Sequence, residues 1–287
     1  WLNLPTLFVF HLARWFNSLF LFVVVYLLIT QMSDDVKERR DAFLLVALSS
    51  GFGWLAAPLG FYLSPDIMSP ESNTFLTVFD NPHFPLAQAL LVTTLLLLPR
   101  LGKFSFSFAI LYSLVSALLV FIQPFAIALI FGVAAVYILW QSIRQKRFLW
   151  AMTLQVGIAF GISLPIFGAI WYVLSSNPLL KSWSETPMLT PPFWHYLLGY
   201  GLIWIGAAFG VYEARKHDRP THYLLVIWIV VSLVLLYTPL SLQRRFSMGL
   251  HIPLAILAGV GLHRSIAIRL SESRRWLITR ALIFISM

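Results

Sequence analysis

Residues 104–140 read FSFSFAILYSLVSALLVFIQPFAIALIFGVAAVYILW and contain no charged side chain. Lys103 precedes the run, Arg144, Lys146 and Arg147 follow it, and Gln123-Pro124 divides it in two. An α-helix rises 1.5 Å per residue, so roughly 20 apolar residues cover the ~30 Å hydrocarbon layer of a bilayer. The stretch therefore predicts two membrane-crossing helices joined by a tight Gln-Pro hairpin.

The whole chain has the same character. Of its 287 residues, 59% are hydrophobic and 11% charged, with a mean hydropathy of +0.83. So few charges cannot cover the apolar surface of a soluble domain of this size, so lipid must cover it. The net charge of +9 lies in short clusters between apolar runs; a nucleic-acid-binding face would gather it into one stripe, so no nucleic-acid partner is expected. The lack of cysteine removes disulfides, thiolate catalysis and thiolate metal sites.

Apolar runs bounded by charge or proline predict an all-α, polytopic bundle of nine to ten transmembrane helices. They lie near Trp15 to Gln31, Ala42 to Leu63, Phe84 to Leu98, Phe104 to Ile122, Phe125 to Trp140, Phe148 to Leu174, Phe193 to Tyr212, Tyr223 to Tyr237 and Met248 to Leu262, with Trp276 opening another. With no repeat and no linker long enough to divide it, residues 1–287 read as one integral membrane domain. Trp1 lies in a Trp-Leu-Asn-Leu-Pro run and Met287 closes an apolar stretch too short to span, so both ends are expected to be truncated.

Orientation follows from the cations. Alternate loops hold Lys37, Arg39 and Arg40; Arg100 and Lys103; Arg144, Lys146 and Arg147; Arg215, Lys216 and Arg219; and Arg264, Arg269, Arg274, Arg275 and Arg280. These are sixteen of the twenty basic residues, on the side that the positive-inside rule makes cytoplasmic. The opposite side keeps only Arg14, Lys181, Arg244 and Arg245. The stretch Ser33 to Asp41, with acidic and basic residues interleaved, reads as a solvated helix start without chemistry.

Chemistry is expected on the outer side. The loop from Ser64 to Pro82 and the helix start after it concentrate Asp66, Glu71, Asp80 and His83. Ser-Pro-Asp and Ser-Pro-Glu also fit the first positions of short helices, and Asp80 or Asn81 can cap the helix that Pro82 opens. The alternative is a carboxylate shielded from water and acting as a base. Asp80 and His83, three apart, could share a divalent cation, although two ligands do not define a site. The outer loop with Lys181, Trp183, Glu185 and Trp194 reads as interfacial anchors or as an aromatic lid.

The run Pro-Leu-Ser-Leu-Gln-Arg-Arg-Phe at residues 239–246 places Arg244 and Arg245 against the charge rule, next to a helix beginning near Met248. Two guanidinium forks beside a helix start with free N–H groups suit a phosphate, and the same two side chains can reach lipid headgroups. His251 lies on that helix and either faces the same cavity or packs within the bundle.

The layout of many spans, a Pro-rich acidic outer loop, the Gln123-Pro124 hairpin, and Gln-Arg-Arg-Phe leading into His-Ile-Pro-Leu-Ala-Ile-Leu-Ala-Gly at residues 251–259 resembles the bacterial GT-C glycosyltransferases, the relatives of protein mannosyltransferases and aminoarabinose transferases. Asn-Pro-His-Phe at residues 81–84 looks like a run that members of that group carry. The resemblance implies transfer of a sugar from a polyprenyl-phosphate donor, held with membrane lipid, to an acceptor at the outer face of the bacterial inner membrane. It places the main catalytic carboxylate upstream of Trp1. Glu71, Asp80 and His83 remain as candidates for catalysis, and Arg244, Arg245 and His251 as candidates for binding the donor phosphate. Two other classes stay open. A transporter or flippase for an amphipathic anion should show broken spans and mid-membrane charges, of which the sequence offers almost none. A non-catalytic assembly subunit needs neither.

Overall fold

The computed structural model describes residues 5–184, 186–217 and 220–266, together with positions 277, 280 and 281. The side chains of Trp183 and His217, and the predicted roles of Trp1, Glu185, Arg219, Arg269, Arg274, Arg275, Trp276 and Met287, lie outside this description.

Among the described residues every regular element is helical. In chain order they are α1 (Thr6–Thr30), α2 (Val36–Leu48), α3 (Gly53–Ala56), α4 (Pro65–Met68), α5 (Thr74–Phe79), α6 (His83–Leu97) and α7 (Phe106–Ile122). There follow α8 (Ala126–Gln145), α9 (Trp150–Ser176), α10 (Pro178–Ser184), α11 (Phe193–Tyr200), α12 (Leu202–His217), α13 (Pro220–Leu236) and α14 (His251–Gly261). A helix satisfies its own backbone, which is why a lipid-embedded chain adopts it throughout.

Among the described residues, six segments are long and apolar enough to cross a bilayer: Thr6–Thr30, Val36–Leu59, His83–Gly102, Ala126–Gln145, Trp150–Ser176 and Gln243–Ser265. The chain is thus a multi-pass membrane protein. The expected count of nine to ten is not reached by this measure. Phe106–Ile122 and Pro220–Leu236 are shorter apolar helices, and the segment expected as one span over Phe193 to Tyr212 is α11 and α12 meeting at 88°. The cause of that corner is local. Gly201 adopts φ +46°, a left-handed conformation that glycine takes without a Cβ clash. The sequence expectation of almost no broken spans is corrected at this point.

The chain forms two compact units. The first comprises residues 1–89, 191–229 and 247–287, the second residues 90–190 and 230–246. In the first, α14 is buried at every position from His251 to Gly261 and packs against α12 and α2. Glycine permits the close approach. A Cβ on Gly210 would lie 2.0 Å from the Leu257 carbonyl oxygen, one on Gly259 2.5 Å from the Ala42 Cα, and one on Gly261 2.3 Å from the Gly206 carbonyl oxygen. Lipid tails are as apolar as side chains, so association depends on this closeness of backbones more than on expelling water.

The cytoplasm-assigned end of the first unit is held by ion pairs, which corrects the reading of Ser33 to Asp41 as solvated. Asp35 does cap α2, accepting from the Lys37 N–H at 2.8 Å; this bond, helped by His263, holds its carboxyl below the usual range. Glu38 and Asp41, however, are buried. Arg264 grips Glu38 with Nε and Nη2, each at 3.0 Å, and His263 Nε2 reaches Asp35 at 3.0 Å. Asp41 pairs with Arg40 at 3.1 Å and lies 3.7 Å from His263 Nδ1. Burying such carboxylates is tolerable only with partners of this quality.

In the second unit, Gln155 near the start of α9 fixes the register of α9 against the turn before α7. Its Nε2 donates to the Leu101 and Lys103 carbonyls at 3.0 and 3.2 Å, and its Oε1 accepts from the Ser105 N–H at 3.3 Å.

Gly210→Ala should cost about 1–3 kcal/mol through overpacking, whereas Gly157→Ala in α9, with nothing within 4 Å of the added methyl, should be neutral or stabilising. Thermal unfolding of the two purified variants in detergent measures the contrast; equal melting temperatures would contradict the packing of α12 on α14.

Candidate functional site

Two sets of polar side chains, one in each unit, contain the residues for which the sequence suggested chemistry.

The set in the first unit grows from the segment between α2 and α6. Ser-Pro-Asp and Ser-Pro-Glu do open short helical turns, Pro65–Met68 and Pro70–Ser72, as their pattern predicted. The Asp66 side chain does more than favour a first turn. Its carboxylate, 7% exposed, accepts a hydrogen bond from the Gly53 N–H at 2.8 Å and a short one from the Ser64 hydroxyl. A Cβ on Gly53 would lie 2.1 Å from an Asp66 oxygen, so glycine is required there. Burial is the largest influence on the carboxyl and pushes it above the ordinary range, against the opposing pull of Ser64 and Gly53.

Glu71 is also buried. Its backbone carbonyl accepts from Gln88 Nε2 at 2.7 Å and from the Gly249 N–H at 2.9 Å. This tie brings the Glu71 segment to the entry of α14, where His251 stands as the first residue. His251 Nδ1 lies 2.9 Å from the Thr74 hydroxyl and Nε2 3.2 Å from the Ser49 hydroxyl. Ser49 already donates to the Leu45 carbonyl, which leaves its oxygen to accept from Nε2–H. Thr74 then donates to Nδ1. A neutral imidazole protonated on Nε2 satisfies both contacts, and the ring stacks on Tyr200 at 6.1 Å between centroids. Tyr200 itself donates to the Ser72 carbonyl at 3.0 Å. Asp66, Glu71 and His251 thus belong to one unit and one polar region.

Asp80 and His83 stand at the opposite end of α5 from Thr74. Asp80 is the residue after the last turn of α5 and accepts from Asn81 Nδ2 at 3.2 Å. His83 is the exposed first residue of α6 and lies against Phe84. The corner is braced by α1, where Arg14 donates to the Phe79 carbonyl at 2.8 Å and Asn17 to the Pro82 carbonyl at 3.0 Å. Among the described residues, no group of three or more His, Asp or Glu side chains is arranged to hold a metal ion.

The set in the second unit contains the arginine pair. Arg244 and Arg245 lie in a 3-10 turn, Gln243–Ser247, and both are half-buried. The Arg245 guanidinium lies 5.8 Å over the Phe125 ring, next to the Gln-Pro hairpin, an aromatic support that suits a planar cation. The Arg244 N–H donates to the Met188 carbonyl at 3.0 Å, and the Met188 N–H to the Ser241 carbonyl at 2.7 Å. Gln243 accepts from the Thr190 N–H at 3.1 Å and donates to the Thr238 carbonyl at 2.6 Å. The outer loop is thereby strapped to the arginine turn.

One expectation fails. The helix start after the arginines was to offer free N–H groups to an anion. In the structure α14 begins at His251, and the N–H groups of Gly249, Leu250 and Ile252 are bound to the carbonyls of Glu71, Ser247 and Gly249.

Sequence reasoning gave Asp66 too small a part and passed over Glu38, Asp41 and His263. A signal for Glu38 and Asp41 was present: they share a helical face with Ala42 and Leu45 at i, i+3, i+4 and i+7, so apolar neighbours announced their burial.

Because the folded protein holds the Asp66 proton more tightly than the unfolded chain, its contribution favours folding at low pH and is lost as pH rises through the raised value. The stability of the wild type relative to Asp66→Asn should therefore fall between the ordinary carboxylate range and neutral pH, read by thermal unfolding across a pH series. A difference independent of pH would show that Asp66 ionises as freely as in an unfolded chain.

In comparisons with known proteins, no protein-family model, no curated protein and no solved structure matches this chain.

Proposed function

We propose that the chain is a glycosyltransferase of the bacterial inner membrane, GT-C-like, with nine to ten spans, moving a sugar from a polyprenyl-phosphate donor to an acceptor at the outer face. The observation that carries the reading is the shielded carboxyl of Asp66, raised by burial in a segment assigned to the outer side. A carboxylate so poised is suited to take the proton of an acceptor hydroxyl, and buried Glu71 is a second acid of the same region. Arg244 and Arg245 would stabilise the charge that develops on the departing lipid phosphate. The guanidinium groups would grip the phosphate, since the Gly249, Leu250 and Ile252 N–H groups are already bonded.

The test is transfer of a radiolabelled sugar from a polyprenyl phosphate by the purified protein. Asp66→Asn should lower turnover by about a hundredfold or more, and Arg244→Ala with Arg245→Ala should lower it further. Undiminished turnover in the arginine variants would remove them from the mechanism. Because the chain lacks cysteine, a single cysteine at Ser241, an exposed residue just before the arginine turn, reports sidedness: it should react with an impermeant maleimide from outside the cell.

A second reading, transport of an amphipathic anion, draws on the 88° corner between α11 and α12, since broken helices are a feature of transporters. It predicts movement of polyprenyl phosphate between leaflets of proteoliposomes with no covalent change.

A further inference from the structure

The span Val36–Leu59 does not lead into a loop built for water. From Ala42 to Pro70 the only charged residue is Asp66, and it is buried. The surface of this stretch is instead large and apolar: Leu59 is 73% exposed and Tyr62 64%. The stretch packs on α11 through α3 and α4, with the Phe52 N–H donating to the Leu198 carbonyl at 2.8 Å. Phe61 meets Trp194 edge to face at 5.2 Å, and a Cβ on Gly51 would fall 2.2 Å from the Gly199 backbone.

The α11 helix repeats the pattern. From Thr186 to Tyr212 there is no Asp, Glu, Lys or Arg. His195, Tyr196, Gly199 and Tyr200 form its buried face, while Trp194 and Leu197 are exposed. Its eight residues cover only about 12 Å, too little to cross hydrocarbon. It also stands at 88° to α12, so where α12 runs along the bilayer normal, α11 runs in the bilayer plane.

We infer that residues 59–68 and α11 form an interfacial layer seated in one leaflet, with lipid as its partner at the boundary between headgroups and acyl chains. An uncharged surface rich in Trp, Tyr and Leu, carried on a short helix lying in the plane, is what that boundary accommodates. Water would have to solvate an apolar patch with no charge to offset it. The layer is continuous in sequence with Val36–Leu59 and with α12, so it starts where those helices reach the leaflet surface. Ser64 to Met68, expected as the start of the outer loop, are thus part of the membrane-embedded surface, and Asp66 sits on its protein side.

The test uses nitroxide labels on single cysteines, with no native cysteine to compete. Leu59→Cys, Tyr62→Cys and Leu197→Cys, all at exposed positions, are reconstituted in phosphatidylethanolamine and phosphatidylglycerol vesicles. Power saturation by oxygen and by the nickel–EDDA complex is compared with labels at Leu114, exposed on α7, and Lys146, exposed in a cationic loop. The three labels should fall between the two references, with the ratio of oxygen to nickel-complex accessibility clearly above that at Lys146 and below that at Leu114. A profile like that of Lys146 would place the layer in water, and protection from both reagents would place it against another protein; either result overturns the inference. Substitution at exposed side chains leaves the buried packing intact, and three independent positions guard against one misfolded variant.

Discussion

The first unit depends on backbones that nearly touch. At Gly210, Gly259 and Gly261 a single added carbon would meet main-chain atoms of a facing helix. Among lipid tails no hydrophobic force draws helices together, so close contact and the bonds it permits must do so. Because α12, α14 and α2 approach this closely, α14 can be buried along its whole length, and its two ends meet the polar groups of neighbouring segments at bonding distance.

Those polar groups obey a strict condition. A hydroxyl, imidazole or carboxylate withdrawn from water is stable only when partnered. At one end of α14, His251 is held between Ser49 and Thr74; at the other, His263 and Arg264 engage Asp35 and Glu38. Asp66 meets the same condition by a different route, using a main-chain N–H and a serine hydroxyl; its burial outweighs their pull, so its proton is held more firmly than in an unfolded chain.

Much of the architecture was legible because hydrocarbon imposes a coarse rule on composition. Uncharged runs such as residues 104–140 became helices α7 and α8, and the Gln123-Pro124 break fell between them. What escaped were features that composition does not encode. The corner at Gly201 depends on one residue's φ angle, and a glycine among apolar residues looks the same in a straight helix. The short pattern Ser-Pro-Asp announced a helical turn correctly, yet the main-chain donor that meets the Asp66 carboxylate is Gly53, thirteen residues earlier. The Glu71 segment is tied to the entry of α14 by a main-chain bond at Gly249, a contact between distant segments for which local sequence holds no sign. The arginine pair was visible as an exception to the charge rule, while the strapping of the outer loop to it by Met188 and Thr190 was not.

Helix α14 is a rod about 16 Å long, gripped at both extremities by directional bonds and along its sides by glycine contacts. It can neither tilt nor turn about its axis without loosening the imidazole clasp at one pole and the guanidinium clasp at the other. A shift at either clasp is therefore passed along the rod to the other.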